Sequence, residues 1–201
     1  MHPYSVDSRR FPSIAYYVAA SAIVLTLGLR ILLQFFHVNP GTITYLPSAF
    51  ALYAALYGIF DRFLWKWRVV QWLGIVTTPD VSGHWQGNLR SSHSNYLIDH
   101  EVLVRVHQTW TNIRLTLDGE RSISLSTMAC IATVSPSEYE LRWEYLAEAK
   151  RPDENELFNH RGVTTLRFQT SGSKVLPIIK GSYYTQQGRD SNGTIILERV
   201  S

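Results

Sequence analysis

The hydrophobic pattern of this chain changes character once. Residues 13–29 ("SIAYYVAASAIVLTLGL") and 43–60 ("ITYLPSAFALYAALYGIF") are apolar runs without a charged side chain. At 1.5 Å per residue the second run alone reaches about 27 Å, close to a hydrocarbon layer of roughly 30 Å. The pattern predicts two transmembrane helices, over about 13–36 and 43–64. The "HVNPGT" between them carries Pro40 and Gly41, which suit a short helical hairpin. Beyond Pro79 the apolar period falls to two, the signature of half-buried strands. Strands are predicted over 82–91, 98–107, 111–118, 122–134, 137–147, 161–170, 175–185 and 193–200, with turn signals such as Asp118-Gly119, Ser135-Pro136 and Ser171-Gly172 between them. Short antiparallel strands at this spacing make a sandwich or a barrel.

Alternation assigns the faces. Leu141, Trp143 and Tyr145 alternate with Glu140, Arg142 and Glu144; Ile113, Leu115 and Leu117 alternate with Arg114 and Thr116; Val102, Val104 and Val106 share a face, as do Ile195, Leu197 and Arg199. An eight-stranded barrel encloses just enough space for its own side chains or one small ligand. If the first and last strands are neighbours, Arg199 lies over the Trp85 indole and plugs one end. The charged stretch at 148–160 ("EAKRPDENELFNH") is expected to be a solvated loop, with a lid or partner contact as the alternative.

Charge sharpens this division into a membrane domain, 1–79, and a β domain, 80–201. Residues 1–79 hold six basic and two acidic side chains, a net +4, while residues 80–201 hold thirteen basic and fourteen acidic, a net −1. The positive excess of the chain therefore flanks the apolar runs, which argues against a polymeric nucleic-acid surface. Arg9 and Arg10 precede the first span, Arg62, Lys66 and Arg68 follow the second, and the hairpin has no Lys or Arg. The positive-inside bias predicts that both termini and the β domain are cytoplasmic, with the chain multi-pass in a cytoplasmic membrane. The single cysteine, Cys130, agrees with a reducing compartment and reads as a small core residue. Trp65, Trp67 and Trp72 among basic residues in 61–74 suit the headgroup layer as the end of the second helix. Arg30 either snorkels to the far headgroups or faces other copies in an assembly.

Catalytic signatures are missing: there is no G-x-S-x-G, no G-x-x-x-x-G-K and no H-E-x-x-H. His84, His93, His100, His107 and His160 lack metal-ligand spacing, and Asn192-Gly193-Thr194 reads as turn chemistry. No enzyme activity, metal or cofactor is expected. The strand aromatics, set beside Arg105, Arg114, Arg142, Arg167 and Arg199, suit a flat anionic ligand, with rings stacking on bases and guanidinium forks on phosphates.

Gly83-x-Trp85 on a first barrel strand, with a basic residue near the end of the last, resembles the lipocalin and avidin pattern, and implies a lipocalin-like antiparallel barrel. Joined to two N-terminal membrane helices and a basic aromatic junction, the chain resembles the two-transmembrane, β-strand-rich effectors of bacterial CBASS anti-phage defence, which are associated with cGAS-like nucleotidyltransferases. That resemblance implies a barrel that senses a cyclic dinucleotide made on infection, oligomerisation in the inner membrane, loss of membrane integrity and death of the host cell before phage release. The candidate ligand contacts are Trp85, Trp110, Arg114, Trp143, Tyr145, Tyr184 and Arg199, with Arg30 as the candidate membrane and assembly residue. The alternative is a membrane-anchored carrier or sensor of a hydrophobic ligand, which requires a pocket lined by Leu, Ile and Val with a single polar anchor.

Overall fold

The computed structural model describes residues 1–7, 13–37, 49–150, 159–171, 174–186 and 191–200. The chain divides into two units, Ser8–Thr77 and a second made of Met1–Asp7 with Thr78–Ser201.

In the first unit, α1 (Ser13–Phe35) packs with α2 (Ala49–Arg62). α1 has the length and composition to cross a membrane. Ile14, Ala22 and Thr26 are its buried residues, the last two small, and the Thr26 hydroxyl is folded back onto the Ala22 carbonyl at 2.8 Å. Small residues of this kind let helix backbones approach closely in lipid. Most of the remaining apolar side chains of α1 are exposed, Tyr16, Val24, Leu27, Ile31 and Phe35 among them, and Arg30 is exposed as well. The hairpin turn expected at 37–42 and the first turns of the second predicted span, at 43–48, lie outside the described residues apart from His37.

The predicted helical junction at 61–74 is instead broken. α2 ends at Arg62, a tight turn follows at Leu64–Lys66, and a short helix α3 occupies Arg68–Trp72. The break is local. Trp67 takes an extended conformation (φ −68°, ψ 134°), which stops the turn, and the Lys66 ammonium lies 5.1 Å from the Trp65 ring centroid.

The second unit is a closed antiparallel barrel of eight strands: β1 (Gly83–Ser91), β2 (Asp99–Gln108), β3 (Asn112–Gly119), β4 (Ser122–Ser135), β5 (Glu138–Ala149), β6 (Asn159–Ser171), β7 (Ile178–Gln186) and β8 (Asn192–Val200). Each strand pairs with its sequence neighbours, and β8 closes on β1 with Arg199 opposite Trp85. Alternation holds around the ring. Leu141, Trp143, Tyr145 and Ala147 of β5 point inward and are buried. Outside, Glu140 pairs with Arg142 at 2.6 Å and Arg167 at 3.3 Å. Most of the 148–160 loop lies outside the described residues.

Two departures from the sequence pattern have simple causes. The expected strand 175–185 is interrupted at Pro177, which has no N–H to give a ladder; Lys174–Val175 folds back on β6 and β7 begins at Ile178. Asn192-Gly193 is no turn but the opening of β8, paired with Tyr184 and Tyr183.

A third departure concerns the N-terminus. β3 and β4 share only the pairs Thr116 with Leu125, Leu117 with Ser124 and Asp118 with Ile123, then diverge. Met1–Asp7 fills the seam: His2–Pro3 pairs antiparallel with β3, and Ser5–Val6 parallel with β4 opposite Cys130 and Ile131. These seven residues were expected in the membrane domain, but their hydrogen bonds belong to the barrel.

Candidate functional site

The barrel is filled at one end and open at the other. At the filled end Trp85 is fully buried, its indole Nε1–H donates to the Val81 carbonyl at 3.0 Å, and the Arg199 guanidinium lies 5.1 Å from its ring centroid. Arg199 also donates to the Ser82 carbonyl. Buried Gln108 ties the incoming chain segments together. Its Oε1 accepts from the Val81 N–H at 2.9 Å, and its Nε2 donates to the Tyr4 hydroxyl at 3.0 Å and the Pro79 carbonyl at 3.3 Å. Apolar side chains including Leu115, Trp143, Leu166 and Leu197 occupy the middle.

At the other end a cavity of about 420 Å³ opens among the ends of the strands. That volume lies within the roughly 300–1,000 Å³ usual for small-molecule sites. Val102, Leu117 and Ile195 make its apolar part; Ser124, Tyr145, His160, Thr164, Tyr183 and Thr185 make its polar wall. The Tyr145 and His160 rings meet edge to face at 6.4 Å. The Thr185 hydroxyl is already engaged with Ser191, 2.9 Å from its Oγ. Arg121 is the one Lys or Arg among the described lining residues, accompanied by Glu101 and Glu120.

Glycines shape this wall. Tyr145 on β5 faces Gly162 on β6, and Tyr183 on β7 faces Gly193 on β8. A Cβ on Gly162 would lie 2.5 Å from the Tyr145 Cζ, and one on Gly193 would lie 2.8 Å from the Tyr183 Cζ. Each ring therefore lies flat across a strand that has no side chain beneath it, which keeps both rings on the wall. Aromatic cover of a strand glycine also pins register where the sheet bends.

A larger depression of about 600 Å³ crosses the outer faces of β2, β1 and β8. It is lined by Asp99, Glu101 and Glu198 against Arg90 and Arg199, with no aromatic ring, so it offers a flat anion neither a stacking surface nor a positive field. Within it Arg90 holds Asp99 at 2.5 Å, and this hydrogen bond keeps the Asp99 carboxyl below its ordinary range.

Of the contacts inferred from sequence, the structure brings only Tyr145 to the cavity. Trp85 and Trp110 are buried at the filled end, and Trp143 is in the core. Arg199 is the cation over Trp85. Arg114 and Tyr184 point outward on β3 and β7. Arg105 and Arg167 are paired outside with Asp118 and Glu140, so neither supplies a guanidinium to the lumen. Thr164, Ser124, His160 and Tyr183 are the residues the sequence did not single out. Their signal was phase: His160, Gly162 and Thr164 fall in step with buried Leu166 and Phe168. Among the described residues no group of three or more His, Cys, Asp or Glu is placed to hold a metal ion.

Comparison with known proteins covers both units. The family model described as "Cap15, cyclic dinucleotide receptor domain" matches residues 76–199, the barrel, and "Cap15, TM helices" matches residues 12–66. The chain is also similar to "CD-NTase-associated protein 15" of Yersinia aleksiciae, with 30% identity over 193 residues covering 93% of this chain and 88% of that protein.

Proposed function

The chain belongs to the Cap15 family, and from that premise we propose that it is a non-enzymatic CBASS effector whose barrel takes a cyclic dinucleotide at its open end. The carrying observation is the coincidence of the receptor-domain match, residues 76–199, with a barrel whose described strand ends enclose a cavity of about 420 Å³. The hydroxyl and imidazole groups of that wall favour a nucleotide over the hydrophobic cargo of a lipocalin-like carrier, although the meander of eight antiparallel strands is of the lipocalin kind.

The membrane part is proposed as a helical hairpin, α1 followed by a second span over 43–64, with both termini and the barrel in the cytoplasm. Connectivity supports it. Met1–Asp7 and Thr78–Ser201 share one unit, so the chain leaves the barrel and returns to it, and an even number of crossings satisfies that path. The positive residues on either side of the spans give the direction. Ligand binding then drives self-association in the inner membrane, loss of membrane integrity and abortive infection. A ligand can do this only by its differential affinity for the assembled state. Two helices per copy cannot form a pore alone, and assembly would gather copies of Arg30. A CD-NTase is the expected source of the ligand; the Yersinia aleksiciae relative is named as a CD-NTase-associated protein.

Calorimetry of the full-length chain in lipid nanodiscs against a panel of cyclic dinucleotides tests the receptor reading, and heat from at least one member is expected; silence from every member overturns it. Crosslinking in liposomes, with dye release measured in parallel, tests assembly. Monomers alone at saturating ligand would sink that step.

A further inference from the structure

Thr164 and Ser124 are buried, 1% and 5% exposed, and both line the mouth cavity. Their neighbours Thr185 and Ser191 satisfy each other, but among the described residues the Thr164 and Ser124 hydroxyls are not engaged with another protein group, and neither is sealed away from the cavity. Two hydroxyls on otherwise buried residues, open to one cavity and not engaged by the protein, are placed to donate to and accept from a polar group inside it.

The chemistry of that group follows from the charges. Apart from histidine rings, Arg121 is the one cation among the described lining residues, and Glu101 and Glu120 line the cavity with it. A phosphate drawn into such a lumen would lose its water without gaining a counter-charge. A nucleobase loses little: it has flat faces for the Tyr145 and Tyr183 rings, which their partner glycines hold against the wall, and edge donors and acceptors for hydroxyls, each of which both donates and accepts.

Building on the receptor reading above, we propose that the mouth cavity takes one nucleobase of the cyclic dinucleotide, with Thr164 and Ser124 reading its edge as specificity-determining residues. The phosphodiester ring then stays at the rim, and the second base is left outside the lumen, where the described barrel gives it no matching slot.

The test uses the full-length chain in nanodiscs with Thr164→Val and Ser124→Ala, which remove a hydroxyl and nearly keep the shape. Wild type and variants are titrated with cyclic di-AMP, cyclic di-GMP and cyclic GMP–AMP, and the ligand-free thermal midpoints are compared. The expected result is a loss of about five- to tenfold in affinity per hydroxyl for the best ligand, a changed ranking among the three, and ligand-free midpoints equal to or above wild type. A variant that binds all three as wild type does, or loses affinity equally for all three, overturns base-edge reading, because the phosphodiester ring is common to them. A lowered midpoint with unchanged ranking makes the hydroxyls structural and overturns it as well. If wild type binds none of the three while another cyclic dinucleotide of the panel does, the variants are read with that ligand and its base-changed analogues. Failure of every ligand sinks the receptor reading itself.

Discussion

At the filled end of the barrel Gln108, Tyr4 and the Trp85 indole are buried and hydrogen-bonded within the chain, whereas at the mouth Thr164 and Ser124 are buried as deeply and have no protein partner among the described residues. The same eight strands build both ends. What differs is which inward positions carry large side chains: Trp85, Ile113, Leu141 and Phe168 below, and serine, threonine and glycine with two wall-bound tyrosines above. One end is finished by folding, and the other is the proposed seat of the ligand. Changes at the first should therefore read out as stability, and changes at the second as binding.

The largest effect is expected where the filled end is deepest. Trp85→Ala removes the plug and the seat of Arg199, and should lower stability by about 3–5 kcal/mol, read as a large fall in the thermal midpoint of the purified chain. An unchanged midpoint would mean that this end is not the structural one. Gly162→Ala tests the boundary between the two behaviours. Its Cβ meets the Tyr145 ring and lies 2.6 Å from the Tyr184 carbonyl oxygen, which as backbone yields little. A loss of roughly 1–3 kcal/mol is expected, together with loss of ligand binding as Tyr145 is pushed off the wall. Retained binding at full occupancy would detach Tyr145 from the site.

Gln108→Leu keeps the volume but strands the Val81 N–H, and should cost about 1–2 kcal/mol while leaving ligand affinity at the far end unchanged in the folded fraction. The smallest effect belongs to the outer face. The Arg90 hydrogen bond depresses the Asp99 carboxyl, so its contribution is present above the ordinary carboxylate range and fades as pH falls through the lowered folded value. Both groups are fully solvated, so Asp99→Asn at pH 7 should leave midpoint and ligand affinity at wild-type values. A measurable drop in affinity would move the site to the outer depression.

The strands were legible because a half-buried sheet writes its burial as a period of two, and the Trp85–Arg199 contact followed from closure of β8 on β1. The cavity was harder to read. Thr164 and Ser124 are polar, and polar strand residues normally face water; only their phase marks them as inward. In β4 even that phase shifts, at the irregularity between Ser126 and Met128. Tyr184 was singled out over Tyr183 because adjacent tyrosines are equivalent until the break at Pro177 and the pairing of Gly181 with Leu166 set the parity of β7. The arginines misled for a related reason, since guanidinium groups on strands were matched here by carboxylates on the outer face.

The seam at β3 and β4 gave no sequence signal, because pairings of two residues are too short to show a period. It also imposes an order on biosynthesis. The His2 imidazole hydrogen-bonds Ser126, 124 residues away, so the segment ahead of α1 cannot take its place in the seam until α1 and β4 have both been made. Translation order and folding order are therefore opposed at this seam: a segment made early is paired late.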